Sequence, residues 1–198
     1  DGESYGEYAF SHIDENGIDN IVEEVKNHVM PWAHKLPEGM NIKQYPVIPD
    51  EKYNFEKSTE FEISPDELGD EEIVKRLSAV REKALAQDEK IVEVQTGCVY
   101  QIYHKLFLSP NKDMTQNVMW TTGMMMGLIP KGEEMKMAFD SCSGCGGMEL
   151  TEGLETKIPQ LVQKLNDLAA SEPITPGEYD CICAPDVTGM IVHEAFGH

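Results

Sequence analysis

Residues 193–198 read HEAFGH and combine two imidazoles with one carboxylate at the end of an apolar run. Zinc in catalytic sites is usually bound by three protein ligands, often neutral histidines, and a carboxylate beside the metal can accept a proton from its bound water. The pattern therefore predicts His193 and His198 as zinc ligands and Glu194 as a general base for hydrolysis. The motif alone leaves one alternative open, a helix end with two incidental histidines.

The two histidines are one residue further apart than in the common HExxH zinc motif, which makes the pattern HExxxH. On a regular α-helix, positions i and i+4 lie roughly 40° apart around the axis, whereas positions i and i+5 lie roughly 140° apart. A straight helix could not direct both rings at one ion. The spacing therefore predicts a π-helical widening near Gly197, where glycine lowers the cost of distortion, and we expect an added methyl group to crowd that turn.

The residues before the motif predict the elements that position it. Residues 176–192 contain a Pro-Gly turn, a short alternating strand at 179–183, a Pro-Asp break and an apolar helix start that leads into His193. Together with the motif, this string resembles the TldD/PmbA family of metalloproteases, which has a PGEYD-like strand and an apolar stretch before an HEAxGH motif. The resemblance is to the catalytic TldD branch, because the PmbA (TldE) branch lacks the histidines.

The resemblance implies a zinc-dependent metallopeptidase that acts on unfolded or flexible polypeptides. By position it assigns the metal to His193 and His198 and the general base to Glu194, with a third ligand, a cysteine, expected downstream. The first ten residues look like an internal strand of that family, so we expect the chain to be a portion of a longer protein and to be inactive by itself. The resemblance also implies a PmbA/TldE-like partner subunit, with a homodimer as the other assembly.

The composition of the chain excludes several classes of partner. Its 198 residues carry a formal net charge of −20, which disfavours binding to nucleic acids and to anionic membrane surfaces. The apolar runs are shorter than the roughly 20 residues that span a bilayer. Five cysteines, an odd number without a compact spacing, argue against a disulfide-stabilised secreted domain, so we expect a cytoplasmic protein.

The hydrophobic pattern predicts an α+β fold. Apolar residues at helical spacing predict helices at 20–30 and 64–87, the second with a capping box at its start, and a third helix after the glycine-rich stretch 144–153. Alternating apolar residues between 90 and 140 predict an antiparallel β-meander. Residues 36–63 show no steady period, which predicts a long surface crossing.

A linker with two prolines at 171–177 predicts a domain boundary. We expect an N-terminal α+β domain over residues 1–172, with helices packed on the meander. Residues 173–198 are then the start of the C-terminal metalloprotease domain, with its first strand and helix. A non-catalytic interaction domain that pairs with a PmbA-like subunit is the alternative function.

Two further groups of residues could do chemistry but have simpler explanations. Cys142 and Cys145 form a single CxxC in a glycine-rich stretch, which we interpret as an incidental loop, and Cys181 and Cys183 are interpreted as small packing residues. Seven methionines between positions 114 and 137 either line an adaptable groove for peptides or fill the core on one face of the sheet. Core filling is the preferred interpretation.

Overall fold

The structure is a computed structural model that describes residues 7–11, 14–29, 31 and 49–197. The chain divides into two compact units, residues 1–49 and 50–198. The first unit contains helix α1 (Ile18–Glu24), which continues into a π-helical turn (Val25–Val29). This agrees with the helix predicted at 20–30, whose last residue lies outside the described part.

The described strands of the second unit form one mixed sheet of four. They are β1 (Tyr53–Ser58), β2 (Glu93–Leu108), β3 (Lys112–Lys131) and β4 (Glu134–Cys145). β2, β3 and β4 follow one another in antiparallel pairs, whereas β1 runs parallel to the first part of β3. The α+β class predicted from the sequence is confirmed, but the sheet is not the purely antiparallel meander that the alternation predicts.

β1 lies in the stretch 36–63, for which the sequence predicts a surface crossing, and that prediction is wrong for this part. Residues 36–48 of this stretch lie outside the described part. β4 pairs with β3 only from Trp120 onwards, so the edge of β3 at residues 112–117 is open to another strand, and β1 pairs there. An alternation of only six residues gives a weak periodic signal beside the prolines of this stretch.

The helices of this unit are α2 (Pro65–Leu68), α3 (Asp70–Leu85) and α4 (Gly153–Ala170). The sequence predicts one helix at 64–87, but the structure divides it at Gly69, whose φ of 76° is a left-handed value that glycine adopts at little cost. Ser64 precedes the first helical residue in an extended conformation, yet its side chain makes no capping hydrogen bond. The predicted capping box is therefore not formed.

α3 and α4 pack on one face of the sheet and enclose the core with it. Gly127 on β3 allows α4 to approach closely, because a Cβ at that position would lie 2.6 Å from Leu165 Cδ1. The core cluster consists of residues with apolar side chains from α3, α4, three strands and the loop before β2: Val80, Ala84, Ile91, Val94, Met125, Ile129, Ala138, Leu154, Ile158, Leu161 and Leu165. Burial of these side chains is the main driving force for folding this unit.

The methionines of the sheet do not all serve the core. Met119 and Met125 are buried on the side of the helices. Met124, Met135 and Met137 point to the opposite side and are 41%, 50% and 56% exposed. The interpretation of the methionines as core filling is therefore wrong for these three.

The segment that leads to the motif contributes nothing to the buried core in the described part of the chain. Every residue from 171 to 197 is exposed. The predicted strand at 179–183 does not form, because no described strand lies beside it to satisfy its backbone hydrogen bonds. The helix predicted after it does form, as α5 (Pro185–Val192). The domain boundary predicted at 172/173 lies inside the second unit and stays a prediction.

Candidate metal centre

α5 begins where the sequence provides the signals for a helix start. Ala184 is the extended N-cap residue and Pro185 takes the first helical position, where its missing N–H costs nothing. The Thr188 N–H donates to the Ala184 carbonyl oxygen at 2.9 Å, and Asp186 places a negative charge in the first turn, where the helix dipole favours it. The helix therefore has a fixed start eight residues before the first histidine of the motif.

The helix widens at the motif. The His193 N–H donates to the carbonyl oxygens of Gly189 and Met190, so the α-helix continues up to this residue. The next stretch, His193–Gly197, is π-helical. In a π-helix the backbone hydrogen bonds join residues i and i+5, which brings side chains at that spacing towards one face. The irregular turn predicted from the HExxxH spacing is confirmed at the predicted place.

The crowding that the sequence predicts at Gly197 is not found. Among the described atoms outside the helix backbone, a Cβ at this position would have one neighbour within 4 Å, His193 Nδ1. The distance of 3.9 Å is an ordinary van der Waals contact. The prediction of a strong steric effect is therefore wrong, because the widened turn leaves room for a methyl group. The same distance shows that the His193 ring lies along the π-helical turn.

Gly197→Ala is accordingly expected to change zinc affinity by less than about threefold, as substitutions without a steric conflict usually do. Competition of the purified protein with a zinc indicator dye measures the affinity. A loss of tenfold or more would mean that glycine is needed for backbone freedom rather than for space.

The structure places two of the three candidate site residues. His193 is the first residue of the π-helical turn and Glu194 the second, and both are exposed to solvent. His198 lies outside the described residues. Across residues 7–11, 14–29, 31 and 49–197, no group of three or more His, Cys, Asp or Glu side chains could hold a metal ion. An exposed imidazole beside a carboxylate fits the donor chemistry of a zinc centre, but the described part supplies only part of it.

The cysteines do not complete the site. Cys181 and Cys183 are exposed, so the interpretation of both as packing residues is wrong in this structure. Cys142 and Cys145 lie on β4 and not in a loop, so that interpretation is wrong. They are three positions apart, and side chains at that spacing on a strand point to opposite faces. Cys142 Sγ faces the side of α4, near Gly153. The CxxC motif therefore does not bring its two sulfur atoms together.

The other histidines with a described environment have local partners. His104 Nδ1 lies 2.8 Å from Asn117 Oδ1 on the neighbouring strand. His28 Nε2 lies 3.1 Å from Glu24 Oε2, four residues earlier in the same unit. Neither lies beside a second histidine or a cysteine that could share an ion with it, among the residues described.

Comparison with known proteins gives one partial similarity. A protein of Methanothermobacter thermautotrophicus named "Metalloprotease" is 32% identical to this chain over 69 residues. The matched stretch is 34% of this chain and 15% of the relative's length. No family model and no solved structure matches the chain. The chain is thus distantly related to a metalloprotease, and that name specifies neither a branch nor a metal.

None of the helices in the described ranges is both long and apolar enough to cross a membrane.

Proposed function

We propose that this chain carries part of the active site of a zinc-dependent metallopeptidase of the TldD type. The observation that carries the proposal is the π-helical turn at His193–Gly197, because a histidine pair at i and i+5 needs that local widening to share one ion. The partial similarity to a metalloprotease supports the same chemistry. The TldD assignment rests on the resemblance of residues 176–198.

In the proposed site, His193 and His198 would hold the metal, and a third ligand would complete the shell. Bound zinc would supply Lewis acidity, which polarises the scissile carbonyl and lowers the pKa of a coordinated water. Glu194 would act as the general base that takes a proton from the attacking water, and would then donate it to the leaving amine. The exposure of His193 and Glu194 leaves both accessible to a polypeptide substrate.

Substrate and partner follow from the resemblance. We propose unfolded or flexible polypeptides as substrates and a PmbA/TldE-like subunit as partner, with cytoplasmic localisation. The alternative of a purely non-catalytic interaction domain has no support from the similarity, since the relative is named a metalloprotease.

Zinc binding by the 198-residue chain tests the ligand assignment. We expect weak binding, because two protein ligands leave the coordination shell short of the usual three. His193→Ala is expected to weaken it at least about tenfold, since even the loss of an outer-shell partner costs about that much. Titration against a zinc indicator measures the affinity.

His104→Ala is the matched control for this titration, because His104 is also exposed and lies on β2, outside the motif, with its Nδ1 2.8 Å from Asn117 Oδ1. Its zinc affinity should equal that of the unchanged chain. Equal affinity of the His193 variant and the unchanged chain would remove His193 from the site.

A further inference from the structure

β2 is an edge strand in the described part of the chain, because the strand order runs β1, β3, β2 and β4 pairs with β3. Residues 99–108 of β2 are all exposed. The register of β2 with β3 is unbroken from Glu93 to Leu108, so no bulge interrupts the strand. We call the outer side of β2 between Cys98 and Leu108 the free edge. An edge of this kind presents a row of backbone groups that can pair with another chain.

The strand register shows which backbone groups point outward from the free edge. The carbonyl oxygens of Asn117 and Met119 on β3 accept N–H groups on the side away from β2, at 2.8 and 3.1 Å. These two residues pair with His104 and Ile102, and in such antiparallel pairs the backbone groups of both residues point away from each other. The even-numbered residues of β2 therefore direct their N–H and C=O groups outward, whereas the odd-numbered residues bond to β3.

The outward groups have a partner at the start of β2 but not on the free edge. The Val94 carbonyl oxygen accepts the Arg81 Nε–H at 2.8 Å, so α3 covers that part of the strand. From Cys98 onwards, no described residue donates to or accepts from the outward backbone groups. Proline and charged side chains commonly protect an edge, and residues 98–108 contain no proline and one charged residue, Lys105. The free edge is therefore open to an added strand.

A pocket of about 330 Å³ adjoins the free edge beside α2. Ile102 and His104 of β2 form part of its wall. The other apolar residues that line it are Phe61, Pro65, Val118 and Met119. His104 Nδ1 lies 2.8 Å from Asn117 Oδ1, and Asn117 Nδ2 donates to Ser58 Oγ at 3.0 Å, so these polar groups already have partners. The pocket is suited to a large apolar side chain that reaches over β2 from an added strand.

An extended segment of a flexible polypeptide matches the free edge better than other occupants. Backbone donors and acceptors in this arrangement are paired by another extended backbone, whereas a pocket beside the edge selects side chains of the added strand. Folded proteins usually protect their own edges, so a flexible segment is the chain that offers an unpaired backbone. A second copy of this chain, with a formal net charge of −20, would be repelled.

We propose that the free edge of β2 binds an extended segment of a flexible polypeptide by strand addition, with one large apolar side chain in the adjoining pocket. The binding uses no residue of the metal motif, so it can be tested apart from the zinc site. For the peptidase proposed above, the free edge would be a substrate-binding site outside the motif, and that role alone rests on the proposed function.

Hydrogen exchange of the 198-residue chain, followed residue by residue by NMR, tests the mode of binding. The probe is a threonine-rich peptide with blocked ends and a single central phenylalanine. With the probe at about ten times its Kd, the N–H groups of Tyr100, Ile102, His104 and Leu106 should exchange about tenfold more slowly. The N–H groups of the odd-numbered residues between them already bond to β3 and should be unchanged. Slowing of both sets, or of neither, would overturn the proposal.

The affinity of the fluorescently labelled probe, measured by anisotropy, tests the two parts of the site. Replacing the phenylalanine of the probe by alanine should weaken binding about tenfold or more, because a large apolar side chain leaves the pocket. Methylation of alternate backbone nitrogens gives two isomers of the probe, and only the isomer whose methyl groups face away from β2 should still bind. Equal affinity of the two isomers would contradict strand addition.

Leu106→Pro removes one outward N–H and no bond to β3, a position where an edge strand tolerates proline. It should weaken binding of the probe about tenfold, as the loss of one hydrogen bond at a closely paired edge does. Leu106→Thr is the matched control, because it keeps the N–H and should bind as the unchanged chain does. Equal affinity of the two variants would overturn the proposal. A dimer in sedimentation velocity, with the even-numbered N–H groups protected in the absence of the probe, would assign the free edge to a second copy and overturn it as well.

Discussion

Glu194→Gln is expected to abolish peptide hydrolysis while leaving bound zinc unchanged. Glutamine keeps the shape of the side chain but cannot accept the proton of the attacking water, and general acid–base catalysis contributes about 10²- to 10⁴-fold to reaction rates. The carboxylate is proposed as a base and not as a ligand, so its replacement removes no metal bond. The kcat on an unfolded polypeptide and the zinc content per chain, measured on the active peptidase that contains this chain, separate the two effects.

Two variants on the same helical segment serve as controls. Asp186→Asn removes a carboxylate from the first turn of α5 and should leave both turnover and zinc content nearly unchanged. His193→Ala should lose both, because it deletes a proposed ligand. Loss of zinc in the Glu194→Gln variant would make Glu194 a ligand, and full turnover would exclude it as the base.

The second large expected effect is on the stability of the fold. Gly147→Ala is expected to lower the free energy of unfolding by about 2–3 kcal/mol, as overpacking of a close contact does. A Cβ at Gly147 would overlap the backbone oxygen of Ile63 and would lie 2.6 Å from Glu149 Oε2. Neither neighbour can move easily, because the Ile63 oxygen accepts the Met148 N–H at 2.8 Å and Glu149 accepts the Ile63 N–H at 3.0 Å. Urea unfolding followed by circular dichroism measures the change.

Gly144→Ala is the control for this effect. Gly144 lies three residues earlier, and a Cβ there would meet only Leu150 Cδ1, at 3.7 Å, which is an ordinary contact. Its free energy of unfolding should stay within about 0.5 kcal/mol of the unchanged protein. Equal destabilisation by both alanine substitutions would show that the contact with Ile63 is not the cause of the loss of stability at position 147.

The sequence predicts the larger elements of the fold because their apolar patterns repeat over many residues. α4 carries a stripe of buried residues, Leu154, Ile158, Leu161 and Leu165, whose spacing identifies it as a helix. β1 escapes prediction because it is short and because its place in the sheet depends on the length of β3 relative to β4. Such a dependence between distant segments produces no pattern in any short stretch of the sequence.

Prediction from local sequence patterns has the same limit at the candidate site. The widened turn could be predicted from the histidine spacing, since only the local backbone determines it. The strand predicted at 179–183 is absent, because a strand forms only beside a partner strand, and Ile182 is fully exposed in this structure. Which face of the sheet the helices cover could not be predicted either. Alternation identifies two faces of a strand such as β3, but it does not say which of two apolar faces the helices will cover.

The most direct test of the proposed zinc site is X-ray absorption at the zinc K-edge of the metal-loaded peptidase that contains this chain. We predict scattering from at least two imidazole rings with Zn–N distances of about 2.0–2.1 Å. In the His193→Ala variant, reloaded with zinc to a matched content, the fitted number of imidazoles should fall by one. A spectrum without imidazole scattering, or one that His193→Ala does not change, would contradict the assignment of the metal to this motif.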